Sequence, residues 1–393
     1  MAEKIRVGVI FGGRSSEHEV SLTSASCVLK AIDRTKYDVI PIGITKGGQW
    51  LVGEDVLPLL SSLTPELGQE KQGELQPDHS QEVLPVSLLP VPGKGGLVSL
   101  GSEGDGVEVS HLADGLDVVF PVLHGTYGED GAIQGLLELA DLPYVGSGIT
   151  GSAVAMDKAM AKAVFAARGI PQLPYLVVLR SQVEKNPAVV EREVGAHLGY
   201  PCFVKPASLG SSVGISKVRN SAELQPALAE ASIYDRKLVI EKDAGNAREV
   251  ECSVLGNDDP IASIPGEIVP SREFYDYVAK YHDSDSQLII PARISPKATR
   301  KVQELAVDAF KALDCLGMAR VDFFVDKTTD EVYINEINTI PGFTPISMYP
   351  KLWEASGIPY GELIDRLIEL AVERYRDKQR NVTSFSPKEM KQP

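Results

Sequence analysis

Acidic, amide and cationic side chains recur at alternate positions in residues 319–344, a stretch that reads as two apolar strands joined by a polar turn. Side chains alternate faces along a strand, so Arg320 shares a face with Asp322, and Glu336 shares a face with Asn338. If the strands pair, these four side chains converge on one patch. Hard oxygen ligands suit Mg²⁺ or Mn²⁺, and an arginine beside them could hold a phosphate or a developing oxyanion. The alternative is a hairpin whose charges face the solvent.

A loop rich in glycine and serine, residues 210–214, follows a strand that ends in Lys205. Its N–H and hydroxyl donors suit a phosphate, and Lys158 is a second candidate cation. With a metal patch downstream, these residues suggest a nucleotide held between two sheets. Glu241 could then accept the exocyclic amine of adenine, and Glu249 could bind the ribose hydroxyls. The alternative is an ordinary hairpin connection, which glycine and serine also form.

Two further polar segments each follow an apolar run and therefore lie at strand ends. Residues 12–21, GGRSSEHEVS, follow the first such run and lack the G-x-G-x-x-G spacing of a dinucleotide site. Glu17 could receive a substrate ammonium there, or could offset the dipole of the next helix. His124 follows a later run, beside two glycines, and could contact a substrate or have a structural role.

Residues 274–281 lie in a long polar loop, which is either a closing lid or an ordinary surface loop.

The elements that must position these residues begin with a β-α-β pattern. Residues 5–11 and 37–44 are apolar runs of strand length, and the segment between them has helical periodicity. This order predicts a doubly wound parallel sheet with a ligand crevice at the carboxyl ends of its strands. Glu17 and His124 are expected to share that rim.

Several domains are expected, because 393 residues exceed the usual size of one hydrophobic core. Residues of about 54–115 depart from the pattern of the first domain, and we interpret them as an insertion. Its acidic segment 64–82 is expected to be a surface insertion or a partly ordered loop rather than a domain of its own. The predicted units are an α/β substrate-binding domain at 1–150, a central domain at 151–245, a catalytic domain at 246–376 and a polar tail at 377–393.

The composition is that of a globular protein, with 43% hydrophobic and 24% charged residues. A net charge of −15 argues against a general nucleic-acid or anionic-membrane surface, although a local cationic pocket remains possible. The four cysteines are scattered without metal-binding spacing, which favours buried thiols in a reducing compartment. With neither a leader pattern nor an apolar run of membrane-spanning length, we expect a cytoplasmic protein.

The ordered motifs of the chain resemble those of the ATP-grasp ligases, and within them the D-alanine–D-alanine ligases. The resemblance covers nearly the whole chain and rests on eight segments. They are residues 12–21 (GGRSSEHEVS), 124–131 (HGTYGEDG), 156–158 (MDK), 204–206 (VKP), 210–214 (GSSVG), 274–277 (FYDY), 280–281 (KY) and 335–342 (NEINTIPG).

The resemblance implies an α/β fold of the three-domain ATP-grasp type, with two α+β domains sandwiching ATP, usually as a homodimer that joins two D-alanines. It also implies two bound Mg²⁺ or Mn²⁺ ions. The implied ATP ligands are Lys158, Lys205, Ser212, Glu241, Lys242, Glu249 and Lys280, and the implied metal ligands are Asp322, Glu336 and Asn338. The implied substrate and catalytic residues are Glu17, His124, Ser211, Tyr281, Arg320, Gly342 and Ser347.

Within this resemblance, Glu17 would bind the ammonium of the first D-alanine, with Ser211 and Tyr281 nearby to hold a lid shut. Ser347 would bind the carboxylate of the second D-alanine, while Arg320 and the Gly342 N–H would form the oxyanion site. Lys242-Asp243 departs from the bulkier or apolar residues that the family often has there, so the adenine contacts at that point are open.

Three other hypotheses compete with a dipeptide ligase. A ligase that makes D-alanyl-D-lactate often lacks the Lys-Tyr pair, which this chain has at residues 280–281. A non-catalytic nucleotide sensor could lose any of the three metal ligands, and this chain retains all of them. An NAD-dependent oxidoreductase is disfavoured by the missing glycine fingerprint.

Overall fold

The computed structural model describes residues 4–63, 83–92, 96–103, 106–111, 115–211, 213–270 and 287–383. Three sheets follow one another along the chain. The first region contains β1 (Ile5–Gly12), α1 (His18–Ala31), β2 (Tyr37–Ile44), β3 (Trp50–Val52), α2 (Val56–Ser62), β4 (Leu84–Leu88), β5 (Leu97–Glu103), β6 (Gly106–His111), β7 (Val118–Val122), α3 (Ala132–Leu139) and α4 (Ile149–Met156).

The first sheet has seven strands in the order β6-β5-β4-β3-β2-β1-β7. The central strand β1 pairs in parallel with both β2 and β7, as the β-α-β pattern predicts. Six consecutive residues of β1 are buried, because layers of side chains cover the sheet on both faces. Because β1 and β7 are parallel neighbours, their carboxyl ends lie side by side. The segments that follow these two strands, which contain Glu17 and His124, therefore start at the same rim of the sheet.

Residues of about 54–115, which we interpret as an insertion, contain regular structure that the sequence pattern does not predict. Four antiparallel strands, β3 to β6, extend the sheet beyond β2, and three of them fall within that range. The strand β3 has only three residues, and proline, serine or glycine interrupts the apolar pattern of β4 to β6, so none of the four gives a clear pattern in the sequence. The acidic segment 64–82 lies outside the described residues.

The second region surrounds a four-stranded antiparallel sheet in the order β10-β9-β11-β8. Asp157 caps the first helix of this region by accepting hydrogen bonds from the N–H groups of Ala159 and Met160. Its elements are α5 (Lys158–Ala167), β8 (Tyr175–Leu179), α6 (Arg180–Lys185), α7 (Pro187–His197), β9 (Cys202–Pro206), β10 (Ser216–Val218), α8 (Ser221–Tyr234) and β11 (Lys237–Lys242).

The third region contains a six-stranded sheet, ordered β15-β14-β12-β16-β17 with β13 paired to β12. Its last two strands are the hairpin that the sequence predicts. The elements are β12 (Ala247–Gly256), β13 (Ile261–Ala262), β14 (Gly266–Val269), β15 (Gln287–Ile289), α9 (Pro296–Ala312), β16 (Gly317–Asp326), β17 (Val332–Asn338), α10 (Met348–Ala355) and α11 (Tyr360–Lys378).

The end of the chain packs back onto the first sheet. Phe343, Trp353 and Leu363 belong to the same buried core as Val7 and Phe120. The segment after β17 is thereby held against the rim of the first sheet, where His124 lies. The domain boundaries at 150, 245 and 376 remain predictions. Within the described parts of the chain, no helix has the length and apolar character needed to cross a membrane.

Candidate functional site

One cavity of about 540 Å³ collects most of the residues singled out from the sequence. Its walls come from all three regions: the rim of the first sheet, the inner faces of β9 and β11, and the hairpin of β16 and β17. The predicted residues in its lining are Glu17, His124, Lys205, Ser211, Glu241, Lys242, Glu249, Arg320, Asp322, Glu336, Asn338, Gly342 and Ser347. Lys158 lines an adjoining smaller pocket that shares Ser211, Glu336 and Asn338.

The hairpin brings its four polar residues together, as its alternating pattern predicts. Arg320 pairs with Asn338, and Asp322 pairs with Glu336, in an antiparallel register that shifts immediately after Asp322. On β16 the residues alternate between buried and half-buried positions, so Arg320 and Asp322 project together toward the cavity. The alternative of a hairpin with a fully solvated polar face does not describe this structure.

Arg320 binds two carboxylates at once. Its Nε and Nη2 donate to the two oxygens of Asp322 at 2.7 Å each, and its Nε lies 3.1 Å from Oε2 of Glu251. Burial alone would lower the pKa of Arg320, but the charges of Asp322 and Glu251 outweigh it and raise the pKa well above its usual range. Glu251 was not found from the sequence, because only the pairing of β12 with β16 brings it opposite Asp322.

The oxygen donors of the patch fit Mg²⁺ or Mn²⁺ chemically. Asp322, Glu336 and Asn338 supply two carboxylates and one amide carbonyl on neighbouring strands. In this conformation cations and an amide already engage the carboxylates: Asn338 Nδ2 lies 3.2 Å from Asp322, and Lys158 Nζ lies 3.3 Å from Glu336. Metal binding would therefore require Arg320 and Lys158 to release oxygens that they now hold.

Glu241 lies at the centre of a buried charge cluster. Lys205 Nζ donates to its Oε2 at 2.7 Å, and Lys162 Nζ donates to its Oε1. Burial raises the pKa of Glu241, but the two lysines more than offset this and lower it. Lys162 was missed in the sequence, although it follows Lys158 by four residues and so lies on the same face of α5.

Lys242-Asp243, which stand where the family often has bulkier or apolar residues, have a local explanation in the structure. Asp243 forms an ion pair with Lys217 at 2.9 Å, and both residues line the cavity. The acidic side chain is thereby matched by a lysine of β10, which lies beyond β9 in the same sheet. Lys242 is exposed, and Glu249 lines the same end of the cavity.

Glu17 faces the glycine- and serine-rich loop across the cavity. Ser211 Oγ donates to Glu17 Oε1, and only 6% of Glu17 is exposed. A Cβ atom on Gly210 would lie 2.8 Å from the other carboxylate oxygen, so a larger residue would crowd it. The Glu17 side chain stands at the N-cap of α1 but makes no capping hydrogen bond to it. Ser212, Lys280 and Tyr281 lie outside the described residues.

His124 has both ring nitrogens engaged within the protein. Nδ1 lies 3.0 Å from the carbonyl oxygen of Ile340, and Nε2 lies 3.0 Å from Ser24 Oγ. Burial lowers its pKa, so the neutral ring is favoured. Ser24 Oγ also accepts a hydrogen bond from the Phe343 N–H at 3.2 Å. These contacts favour the structural alternative for His124, which ties the first sheet to the segment after β17.

Glu129 makes a second connection of this kind and was not found from the sequence. Its two oxygens accept hydrogen bonds from the N–H groups of Gly125, at 2.8 Å, and Ile340, at 3.1 Å. Burial, with a further contribution from the charge of Glu17, raises the pKa of Glu129 to about 8. The residue belongs to the 124–131 motif, which was the one available signal for it.

Gly342 and Ser347 lie next to each other in the segment that follows Ile340. Ser347 Oγ accepts from the Thr344 N–H at 3.0 Å and lies 2.7 Å from Thr344 Oγ1. A Cβ atom on Gly342 would lie only 2.6 Å from Ser347 Oγ, so glycine permits this close approach. The structure thus places a hydroxyl and a bare backbone at one end of the cavity.

Two α+β regions that follow a mostly parallel-centred first sheet and face each other across a cavity lined by lysines and carboxylates are the arrangement of the ATP-grasp class of fold. Two family models match this chain, D-ala D-ala ligase N-terminus over residues 6–147 and D-ala D-ala ligase C-terminus over residues 164–369. The chain therefore belongs to the D-alanine–D-alanine ligase family.

Relatives with this name match over almost their whole length. The chain is 53% identical to the D-alanine–D-alanine ligase of Heliobacterium modesticaldum over 385 residues, which are 98% of this chain and 99% of the relative. It is 49% identical to that of Geobacillus thermodenitrificans over 382 residues, 97% of this chain and 99% of the relative. The resemblance stated from the sequence is confirmed.

Solved structures agree in fold. The D-alanine-D-alanine ligase from Coxiella burnetii matches with a TM-score of 0.78 and 38% identity, over 96% of this chain and 97% of that one. The VanG D-Ala:D-Ser ligase from Enterococcus faecalis matches with a TM-score of 0.79 and 37% identity, over 94% of this chain and 100% of that one.

Proposed function

We propose that this chain joins two D-alanines to D-alanyl-D-alanine at the expense of ATP, through a D-alanyl phosphate, for the synthesis of peptidoglycan precursors. The observation that carries the proposal is the single cavity in which lysines, an acidic patch and the Glu17–Ser211 pair meet. Membership of the ligase family supports the reaction type.

The nucleotide would lie between the second and third sheets. Lys158 and Lys205 are near the acidic patch, as phosphate ligands must be, while Glu241, Lys242 and Glu249 line the cavity wall and would face the adenine and ribose. Separate cations neutralise the charge that spreads over the transferred phosphoryl group. Ser212 and Lys280 keep their proposed roles as further phosphate ligands.

Asp322, Glu336 and Asn338 would hold two Mg²⁺ or Mn²⁺ ions. When bound, such ions supply charge neutralisation between the nucleotide phosphates and the acidic side chains. The release of Asp322 would free one side of the Arg320 guanidinium, which could then stabilise the oxyanion of the acyl centre. Glu251 would keep Arg320 in place during this change, because its Oε2 lies 3.1 Å from the Nε that Asp322 would release.

The two amino acids would bind on the side of the cavity away from the adenine. Glu17 would accept the ammonium of the first D-alanine, and Ser347 would bind the carboxylate of the second. Arg320 and the Gly342 N–H would face the carbonyl under attack. The acyl phosphate must meet an amine before water, so a closed site is required, and Tyr281 with Ser211 would hold the lid shut.

Product analysis tests the proposal. The purified protein is incubated with ATP, Mg²⁺ and D-alanine, alone or with D-lactate or D-serine, across a range of pH. We expect release of phosphate that depends on D-alanine and Mg²⁺, with D-alanyl-D-alanine as the main product by mass spectrometry. A main product containing D-lactate or D-serine would assign a different second substrate, and phosphate release without any condensation product would contradict ligation.

We also propose a homodimer in the cytoplasm. The four cysteines are free and three of them are buried, which suits a reducing compartment. Light scattering on the purified chain measures the dimer directly, and a mass of about 42.4 kDa at micromolar concentration would contradict it.

A further inference from the structure

Glu241 carries one lysine on each of its carboxylate oxygens. Lys162 Nζ contacts Oε1, and Lys205 Nζ lies 2.7 Å from Oε2. All three residues are buried, with exposed fractions of 2% for Lys162 and Glu241 and 8% for Lys205. Two positive charges and one negative charge leave this cluster with one positive charge in excess.

The two lysines differ in their access to the cavity. Among the described residues, those that line it include Glu241 and Lys205 but not Lys162. Lys205 lies 3.4 Å from Asn335 Oδ1, next to the acidic patch. Lys162 reaches Glu241 from α5, and its Nζ is 5.5 Å from the centre of the Tyr175 ring. Lys205 is therefore open to a ligand, whereas Lys162 is enclosed by protein.

Electrostatics makes the enclosed lysine necessary. A buried carboxylate needs a partner charge, and removing its partner leaves an uncompensated charge at high cost. Without Lys162, Lys205 would be the only cationic partner of Glu241. Lys205 could then turn toward a phosphate only by leaving the Glu241 carboxylate unpaired. With Lys162 in place, Glu241 stays paired whichever way Lys205 points.

We propose that Lys162 is a positioning residue for nucleotide binding, and this rests on the proposed use of ATP. It keeps Glu241 ionised and fixed at the adenine end of the cavity. It thereby leaves the charge of Lys205 available to the nucleotide phosphates. Lys162 itself touches neither the nucleotide nor the amino-acid substrates.

Direct binding of ADP tests the proposal without relying on turnover. Lys162→Met is expected to raise the Kd for ADP, measured by calorimetry, by about tenfold or more, which is the usual effect of losing a charged hydrogen bond. Lys162→Arg should restore most of the affinity. The KM for ATP should rise with the Kd, while the KM for D-alanine should change by less than about threefold.

Lys36→Met is the control. Lys36 forms an ion pair with Asp365 at 2.5 Å, and among the described residues neither lines the cavity. Its loss should lower the melting temperature but leave the Kd for ADP unchanged. If Lys162→Met does the same, Lys162 has a structural role only and the proposal is overturned.

A cycle with Glu241→Gln shows whether Lys162 acts through Glu241. The double variant Lys162→Met/Glu241→Gln removes the enclosed lysine together with its carboxylate and leaves Lys205, which is open to the cavity, so it should fold even if Lys162→Met alone does not. Its Kd for ADP should equal that of Glu241→Gln, because the two changes are not additive. A further tenfold loss would overturn the proposal. Wild-type protein that binds ADP but forms no dipeptide would contradict the proposed function alone.

Discussion

At the scale of single residues, the acidic patch is held by cations that a metal would have to replace. Arg320 occupies both oxygens of Asp322, and Lys158 lies beside Glu336. Each carboxylate of such a site has a cationic partner, so the acidic side chains can occupy a partly buried position without metal. The same side chains can then exchange partners when a nucleotide and its metal ions enter.

Glu336→Gln should lower kcat by at least about 100-fold and raise the Mg²⁺ concentration needed for half-maximal rate, because it removes one charged oxygen ligand. The measurement is the steady-state rate against Mg²⁺ concentration. Glu331→Gln is the control, since Glu331 is exposed in the turn of the same hairpin, where its side chain accepts a hydrogen bond from Tyr333 Oη at 2.8 Å. An unchanged Mg²⁺ dependence in Glu336→Gln would rule out the metal assignment.

Glu129 gives a prediction about pH. Its pKa of about 8 lies above the usual 4.5, so the folded protein retains a proton that the unfolded chain loses between these values. Glu129 therefore contributes less to stability as pH rises from about 4.5 to 8. The difference in unfolding free energy between wild type and Glu129→Gln should fall over this range by at least about 1 kcal/mol. Urea denaturation at pH 5 and pH 8 measures it, and a pH-independent difference would contradict the shift.

At the scale of elements, the sequence was most informative where a pattern repeats along one strand. Alternation along β16 and β17 was sufficient to predict that Arg320, Asp322, Glu336 and Asn338 would converge, and the pairing register confirms it. The apolar runs of β1 and β2 likewise predicted a parallel pair.

The residues missed from the sequence are those whose role depends on contacts between distant elements. Lys162 meets Glu241 across 79 positions, and Glu129 meets Ile340 across 211. No local pattern encodes such pairs, because each partner sits on an element that is regular by itself. The strands β3 to β6 were missed for a different reason, since β3 has only three residues and proline, serine or glycine interrupts the apolar pattern of β4 to β6.

The helix α5 carries both Lys158 and Lys162, and Asp157 caps it. Asp157→Ala should cost about 1 kcal/mol of unfolding free energy and raise the KM for ATP, since the first turn positions Lys158. Asn220→Ala is a matched control, because Asn220 caps α8 by accepting from the Ala222 N–H. Asn220→Ala should lower the unfolding free energy by a similar amount without changing the KM for ATP. Equal KM values for the two variants would show that the α5 cap does not position the lysine.

At the scale of the whole molecule, α11 joins the third region to the first. Arg374 Nη2 donates to the Tyr144 carbonyl oxygen at 3.1 Å, Nη1 donates to the Gly146 carbonyl oxygen, and the guanidinium lies 4.0 Å from the centre of the Tyr144 ring. The segment from Ile340 to Ser347, which precedes α10 and α11, is thereby held at the cavity. The site depends on this return of the chain.

Arg374→Met should lower the unfolding free energy by about 2–4 kcal/mol, because it leaves two buried carbonyl groups without their donor. Arg376→Met is the control, since Arg376 is exposed on the same helix. Differential scanning calorimetry measures both. Equal melting temperatures for the two variants would contradict the anchoring role of Arg374.

The central claim is that one cavity passes a phosphoryl group to D-alanine and then forms the peptide bond. It is tested most directly with D-alanine labelled with ¹⁸O in its carboxylate, incubated with ATP and Mg²⁺. If an acyl phosphate forms and an amine displaces the phosphate, one carboxylate oxygen leaves with the phosphate. The account predicts released phosphate that carries one ¹⁸O atom for each D-alanyl-D-alanine formed, as measured by mass spectrometry. Dipeptide formation with unlabelled phosphate would contradict it.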